Sequence, residues 1–95
     1  MLCPTPERVF CDAQHRPYFL WDVDMTLEEF TAALADPDAR LYWLATLLRQ
    51  AKPDDAYRFV TLAEIAAAWP AIRPGVGRQR EFWDWRVRRW TERGE

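Results

Sequence analysis

The sequence predicts an all-α fold: a small four-helix domain with an extended aromatic N-terminal arm. Three observations predict it. Thr26-Leu27-Glu28-Glu29 and Thr61-Leu62-Ala63-Glu64 are capping boxes, in which a threonine hydroxyl and a glutamate carboxylate satisfy the free amides of a helix start. Leu41, Leu44, Leu47, Leu48 and Ala51 recur at helical spacing as a wide apolar stripe. Prolines and glycines punctuate the periodic stretches with short connections, as in a bundle-like domain. At 95 residues the chain reads as one domain, 1–95, with an arm over 1–25 and a helical body over 26–95.

Pro4, Pro6 and Pro17 discourage helix in the first part of the arm. Tyr18 to Val23 (YFLWDV) is aromatic and β-favouring. A lone strand has no partner, so this segment is read as an arm laid over the core. The first capping box opens a helix with Leu27, Phe30 and Leu34 on one face, stopping near Asp36. Pro37 then begins the second helix at the favoured first position. That helix runs to Lys52, whose charge suits the C-terminal end of the dipole. Pro53-Asp54-Asp55 breaks the chain and caps a short turn through Ala56 and Tyr57. The third helix turns Leu62, Ile65 and Trp69 inward and ends at Pro70, because a residue preceding proline is disfavoured in the α region. Pro74-Gly75-Val76-Gly77 forms a turn whose glycines are free to take positive φ, and the last helix spans Arg78 to Glu92.

Charge divides the chain. Residues 1–70 carry six basic against eleven acidic side chains, and residues 71–95 carry seven arginines against four acids, within a net charge of -2. An acidic body argues against a protein whose whole surface grips nucleic acid. Residues 2–11 hold two prolines and a Glu-Arg pair where a signal peptide needs an apolar region. No apolar run reaches the roughly 18 residues of a membrane helix. The expectation is a cytoplasmic protein that does not span a membrane.

Catalytic patterns are sparse. Cys3, Cys11, His15 and Asp12 form a nominal metal-ligand set, but their spacing matches no paired-cysteine zinc knuckle. As a thiol nucleophile with His15 for a base, the same residues lack an orienting third group. Asp22 and Asp24, alternating on an extended segment, share a face and could hold Mg²⁺. No upstream Gly-Ser loop accompanies them, and Asp24 lies where it would stabilise the N-terminus of the helix capped by Thr26. The chain contains no serine, a single histidine and only three glycines, so neither a serine triad nor a phosphate loop can be assembled. No enzyme activity and no cofactor are expected.

The last helix carries the strongest functional signal. Arg78 to Arg93 holds three tryptophans and six arginines in sixteen residues. At about 100° per residue, Phe82, Trp83, Val87 and Trp90 share a core-facing stripe. Trp85 projects from the other side among Arg78, Glu81, Arg88 and Arg89. An outward tryptophan flanked by arginines suits a binding hot spot, or equally a local cation–π contact under Arg89. A helix-turn-helix reading of 61–69 and 78–92 meets two objections. The connection exceeds the usual three or four residues, and Arg80–Asp84, Asp84–Arg88 and Arg88–Glu92 are spaced to pair within the helix.

Arg16-Pro17-Tyr18-Phe19-Leu20-Trp21-Asp22-Val23-Asp24, Tyr42-Trp43-Leu44, Leu47-Leu48, Asp55, Phe59-Val60-Thr61-Leu62, Glu64-Ile65, Trp69-Pro70, Phe82-Trp83 and Trp85 together resemble a family of small bacterial proteins. That family is catalogued as a domain of unknown function and is often encoded beside AbiEii-type nucleotidyltransferase toxins. The resemblance covers residues 16–90, and departs from the family at Pro53 and in the arginine-heavy last helix. It implies an antitoxin or accessory protein. The expected function is a protein–protein interaction module for an adjacent-gene nucleotidyltransferase-like partner, using Trp85, Arg88, Arg89, Arg78, Tyr18 and Trp21. A DNA-binding transcriptional autoregulator using the last helix is the alternative, and self-association as a homodimer is the third.

Overall fold

The structure, a computed structural model, describes residues 7–92. The fold is all-α. Six α-helices occur in the described residues: α1 Glu7–Phe10, α2 Leu27–Ala35, α3 Arg40–Gln50, α4 Pro53–Ala56, α5 Leu62–Ile72 and α6 Arg80–Glu92. Both capping boxes form. Thr26 accepts from the Glu29 N–H at 3.2 Å while the Glu29 carboxylate accepts from the Thr26 N–H at 2.8 Å. Thr61 and Glu64 repeat the exchange at 3.1 and 2.8 Å. Central in the fold, α3 packs on α2, α5 and the 3-10 turns that join α5 to α6, and α6 packs on α5.

The arm is folded rather than extended. Cys11 and Pro17 form an isolated antiparallel bridge around a tight turn, and Tyr18–Leu20 is a 3-10 turn. Asp12 organises this turn: its Oδ1 accepts the N–H groups of Gln14 at 3.0 Å and Arg16 at 2.9 Å. His15, at φ 63°, supplies the left-handed residue that closes it. Burial explains why the arm folds back. Phe10, Phe19 and Phe30 are all 2% exposed or less, and the Phe19 ring lies edge-on to Phe30 at 5.2 Å and to Phe59 at 5.8 Å. Edge-to-face pairs of this kind add to the area that each ring buries.

Several expected boundaries shift. Pro37 does not open α3. It lies in a turn in which the Asp36 carboxylate accepts the Asp38 N–H at 3.0 Å and the Asp36 carbonyl accepts the N–H groups of Ala39 and Arg40, so α3 begins three residues later. This side-chain turn competes with an earlier helix start. Leu41 is 47% exposed and outside the core, whereas Leu44, Leu47, Leu48 and Ala51 are buried as the stripe requires. Pro53 opens the short α4 at its first position, where an expected turn becomes helix. Pro70 does not end α5, which continues to Ile72. Proline there removes one helical hydrogen bond, but buried Trp69 and Ile72 on either side anchor the helix across it. Of the two turn glycines Gly77 alone takes positive φ, at 64°, and α6 starts at Arg80 because Gly77–Gln79 is a 3-10 turn.

At the C-terminal end of α3 the last helical hydrogen bond is replaced by two aromatic side chains. Ala51 turns extended at ψ 155°, so Lys52, which lies beyond the helix, directs its N–H to the Tyr18 hydroxyl at 2.9 Å. The Leu48 carbonyl instead accepts the indole N–H of Trp83 at 3.3 Å. One helix end is thus satisfied from both the arm and α6. Such groups otherwise lack partners at a helix terminus.

Candidate functional site

The predicted site residues separate into two faces and one interior position. On α6, Trp85 is 45% exposed. Its ring carries the Arg89 guanidinium 5.7 Å from the centroid and sits 6.1 Å from the Phe82 ring. Both sequence readings of Trp85 therefore hold geometrically: it stacks locally with Arg89, and nearly half of it still meets solvent. Arg88 is exposed beside it. Of the predicted core stripe, Trp83 is fully buried, while Phe82, Val87 and Trp90 are half-buried.

The pairing expected along α6 is replaced by a cross-helix one. Asp84 turns toward α5 and the following turn, accepting Arg73 Nε at 2.9 Å, Arg73 Nη2 at 3.0 Å and the Trp69 indole N–H at 2.8 Å. Arg80 acts on it only through longer-range attraction. Among the described residues, Arg88 has no ion-pair partner. The i,i+4 scheme fails because Asp84 finds both a bidentate guanidinium and an indole on α5, a fixed geometry that a surface helical pair does not offer. The basic face of α6 is consequently less neutralised than its sequence suggests.

Arg73 holds the Asp84 carboxyl below the usual carboxylate range, and the Trp69 indole N–H acts in the same direction. The Thr61 N–H similarly lowers Glu64, and the Arg16 N–H lowers Asp12. A depressed folded pKa contributes stability that is present above the unfolded value and lost as pH falls through the folded one. The urea midpoint is therefore expected to fall as pH drops below about 5. Asp84→Asn is expected to start lower at neutral pH and to fall less steeply. Parallel profiles for the two proteins would refute the role of Asp84.

Trp21 and Arg78 come together elsewhere. Trp21 is 69% exposed, and with Arg49, Gln50, Gly77, Arg78 and Gln79 it lines a groove of about 530 Å³. Arg49 is held there by the Gly75 carbonyl at 2.9 Å and by the Gln50 side chain at 3.1 Å. Gln50 in turn donates to the Phe19 carbonyl and to Asp22 Oδ1. Arg49 and Gln50 escaped sequence reasoning because they follow a core stripe and carry no motif. Only the fold brings them beside Trp21. Tyr18 faces inward instead: half-buried, its hydroxyl donates to Asp55 Oδ2 and accepts from Lys52. That geometry holds the arm in place and leaves part of the residue lining a groove beside Trp21.

The remaining candidates engage separate partners among the described residues. Cys3 lies outside the described residues. Cys11 is half-buried, and His15 Nδ1 lies 2.6 Å from Glu28 Oε2. Asp12 and Asp24 both pair with Arg16, at 2.8 and 3.3 Å. Among the described residues no three His, Cys, Asp or Glu side chains are grouped to hold a metal ion, and no helix is long and apolar enough to cross a membrane. Compared with family models, curated proteins and solved structures, the chain matches none.

Proposed function

We propose that the chain is a non-enzymatic helical module that binds a protein, acting as an antitoxin or accessory partner of a nucleotidyltransferase-like protein encoded beside it. The observation that carries this reading is the exposure of Trp85 within an arginine-rich face. Magnitudes favour a partner. An exposed cation–π contact with Arg89 contributes about 0.5–1 kcal/mol. Burying the open part of the indole, on the order of 100 Å², contributes roughly 2–3 kcal/mol at about 25 cal/mol per Å². Local stacking alone leaves the larger gain unrealised. The identity of the partner rests on the family resemblance.

Co-purification with the adjacent gene product tests the reading directly. Trp85→Ala with Arg89→Ala is expected to weaken capture roughly thirtyfold or more, the scale of a hot spot. Unchanged capture would remove this face from the interface. The competing autoregulator reading requires promoter binding that weakens steeply with salt. Arg73 is already consumed by Asp84, and two 3-10 turns separate α5 from α6, which weighs against a helix-turn-helix.

A further inference from the structure

Trp21 stands as a ridge between two grooves of different chemistry. On one side is the groove containing Arg49 and Arg78. On the other is a groove of about 320 Å³ in which Val9, Pro17, Leu20 and Val23 form an apolar wall alongside the Asp12–Arg16 pair, with Trp21 shared between the two grooves. Val9 is 55% exposed, so this second groove opens an apolar surface beside the most exposed tryptophan among the described residues.

Charge differs between the two sides. Arg78 has no ion-pair partner among the described residues. Arg49 spends donors on the Gly75 carbonyl and the Gln50 amide, both uncharged, so its positive charge is uncompensated by those contacts. Asp22, the nearby carboxylate, is oriented by Gln50. In the second groove Asp12 and Arg16 neutralise one another as they line it, and Arg16 also holds Asp24. The surface therefore presents an apolar slot, an aromatic ridge and a cationic slot in sequence.

We propose that this surface docks a short acidic, amphipathic segment of another protein. An apolar side chain fills the slot beside Val9 and Val23, the segment crosses Trp21, and its carboxylate meets Arg78 and Arg49. The inference rests on the reading of the chain as a protein-binding module and adds to it the chemistry of the partner. A nucleic acid strand fits less well. A continuous line of phosphates crossing both grooves would meet the carboxylates of Asp12 and Asp24 as well as Asp22, whereas a peptide needs a negative charge only at the arginine end and meets Asp22 alone. Fixed walls also favour binding, because Gln50 and Arg49 are already held in place and little ordering remains to offset affinity.

The test pans a random peptide display library against the full chain. Peptides pairing Asp or Glu with Leu, Phe or Trp are expected. For a selected peptide, Trp21→Ala is expected to weaken binding roughly thirtyfold, and Arg78→Glu roughly tenfold or more. Tyr42→Ala, exposed on α3 and outside both grooves, is expected to leave it unchanged. Circular dichroism checks that the exposed-site variants keep the fold. No consensus, a consensus without acids, or indifference to Trp21→Ala overturns the proposal. So does a dimer lost with Trp21→Ala, which would give the face to a second copy, or single-stranded oligonucleotide binding lost with Arg78→Glu. If acidic peptides fail while capture of the adjacent gene product still depends on Trp85, this inference falls and the module reading stands.

Discussion

Replacing Trp83 by alanine is expected to destabilise the domain by about 3–5 kcal/mol, the range for emptying a buried tryptophan site. Trp83 is fully buried and is the one buried residue of α6. Its indole lies 5.9 Å from the Tyr57 ring and donates to the Leu48 carbonyl at the end of α3. The substitution therefore opens a cavity, strips a carbonyl of its donor and loosens α6 together. A domain of this size has a total stability of roughly 5–15 kcal/mol. Since each kcal/mol lowers Tm by about 4–8 °C in small domains, the expected loss is on the order of 15–30 °C. Trp83→Phe separates the contributions, keeping most of the ring while removing the hydrogen bond at a cost of about 1 kcal/mol or somewhat more. Trp85→Ala, two positions along the same helix, should cost about 1 kcal/mol, the scale of its exposed contact with Arg89 and well below the Trp83 effect. That contrast decides whether loss of partner capture in a Trp85 variant reflects the surface or the fold. A Tm change of less than about 5 °C for Trp83→Ala would contradict its anchoring role.

What was legible in the sequence was local. The capping boxes at Thr26 and Thr61 are complete within four residues, and both reciprocal hydrogen bonds form. The leucine stripe of α3 and the outward direction of Trp85 follow from helical period alone. The proline expectations failed where longer-range packing outweighed a local preference: burial of Trp69 and Ile72 carries α5 through Pro70, and the Asp36 side-chain turn displaces Pro37 from the start of α3. The arm departs from its extended expectation for the same reason, since Phe10 and Phe19 bury against rings contributed by α2 and the segment after α4. Asp84 has the spacing of a helical charge ladder, and only the placement of Trp69 on α5 and of Arg73 in the turn after it reveals its actual partners. The two-groove surface around Trp21 was illegible altogether. Its walls come from the arm, the end of α3 and the turn before α6, three segments that no short window of sequence connects.

Removing the Tyr18 hydroxyl is the second large effect, at about 1.5–3 kcal/mol for a hydrogen bond to a buried charged group. Asp55 is 0% exposed and accepts from that hydroxyl, which itself accepts the Lys52 N–H left over where α3 ends. Tyr18→Phe thus withdraws a donor from a buried carboxylate and an acceptor from a backbone amide in one step. Desolvation makes the carboxylate the costlier of the two losses. A double-mutant cycle with Asp55→Ala should give a coupling of about 0.5–3 kcal/mol by urea denaturation, because the two side chains touch. Simple additivity would sink the pairing. The same variant also addresses function. If Tyr18 serves only to hold the arm against α3 and α4, Tyr18→Phe lowers the urea midpoint yet leaves capture of the adjacent gene product intact under conditions where the protein remains folded. Loss of capture by the folded variant would instead place the hydroxyl in the interface, and the inward geometry of Tyr18 argues for the first outcome.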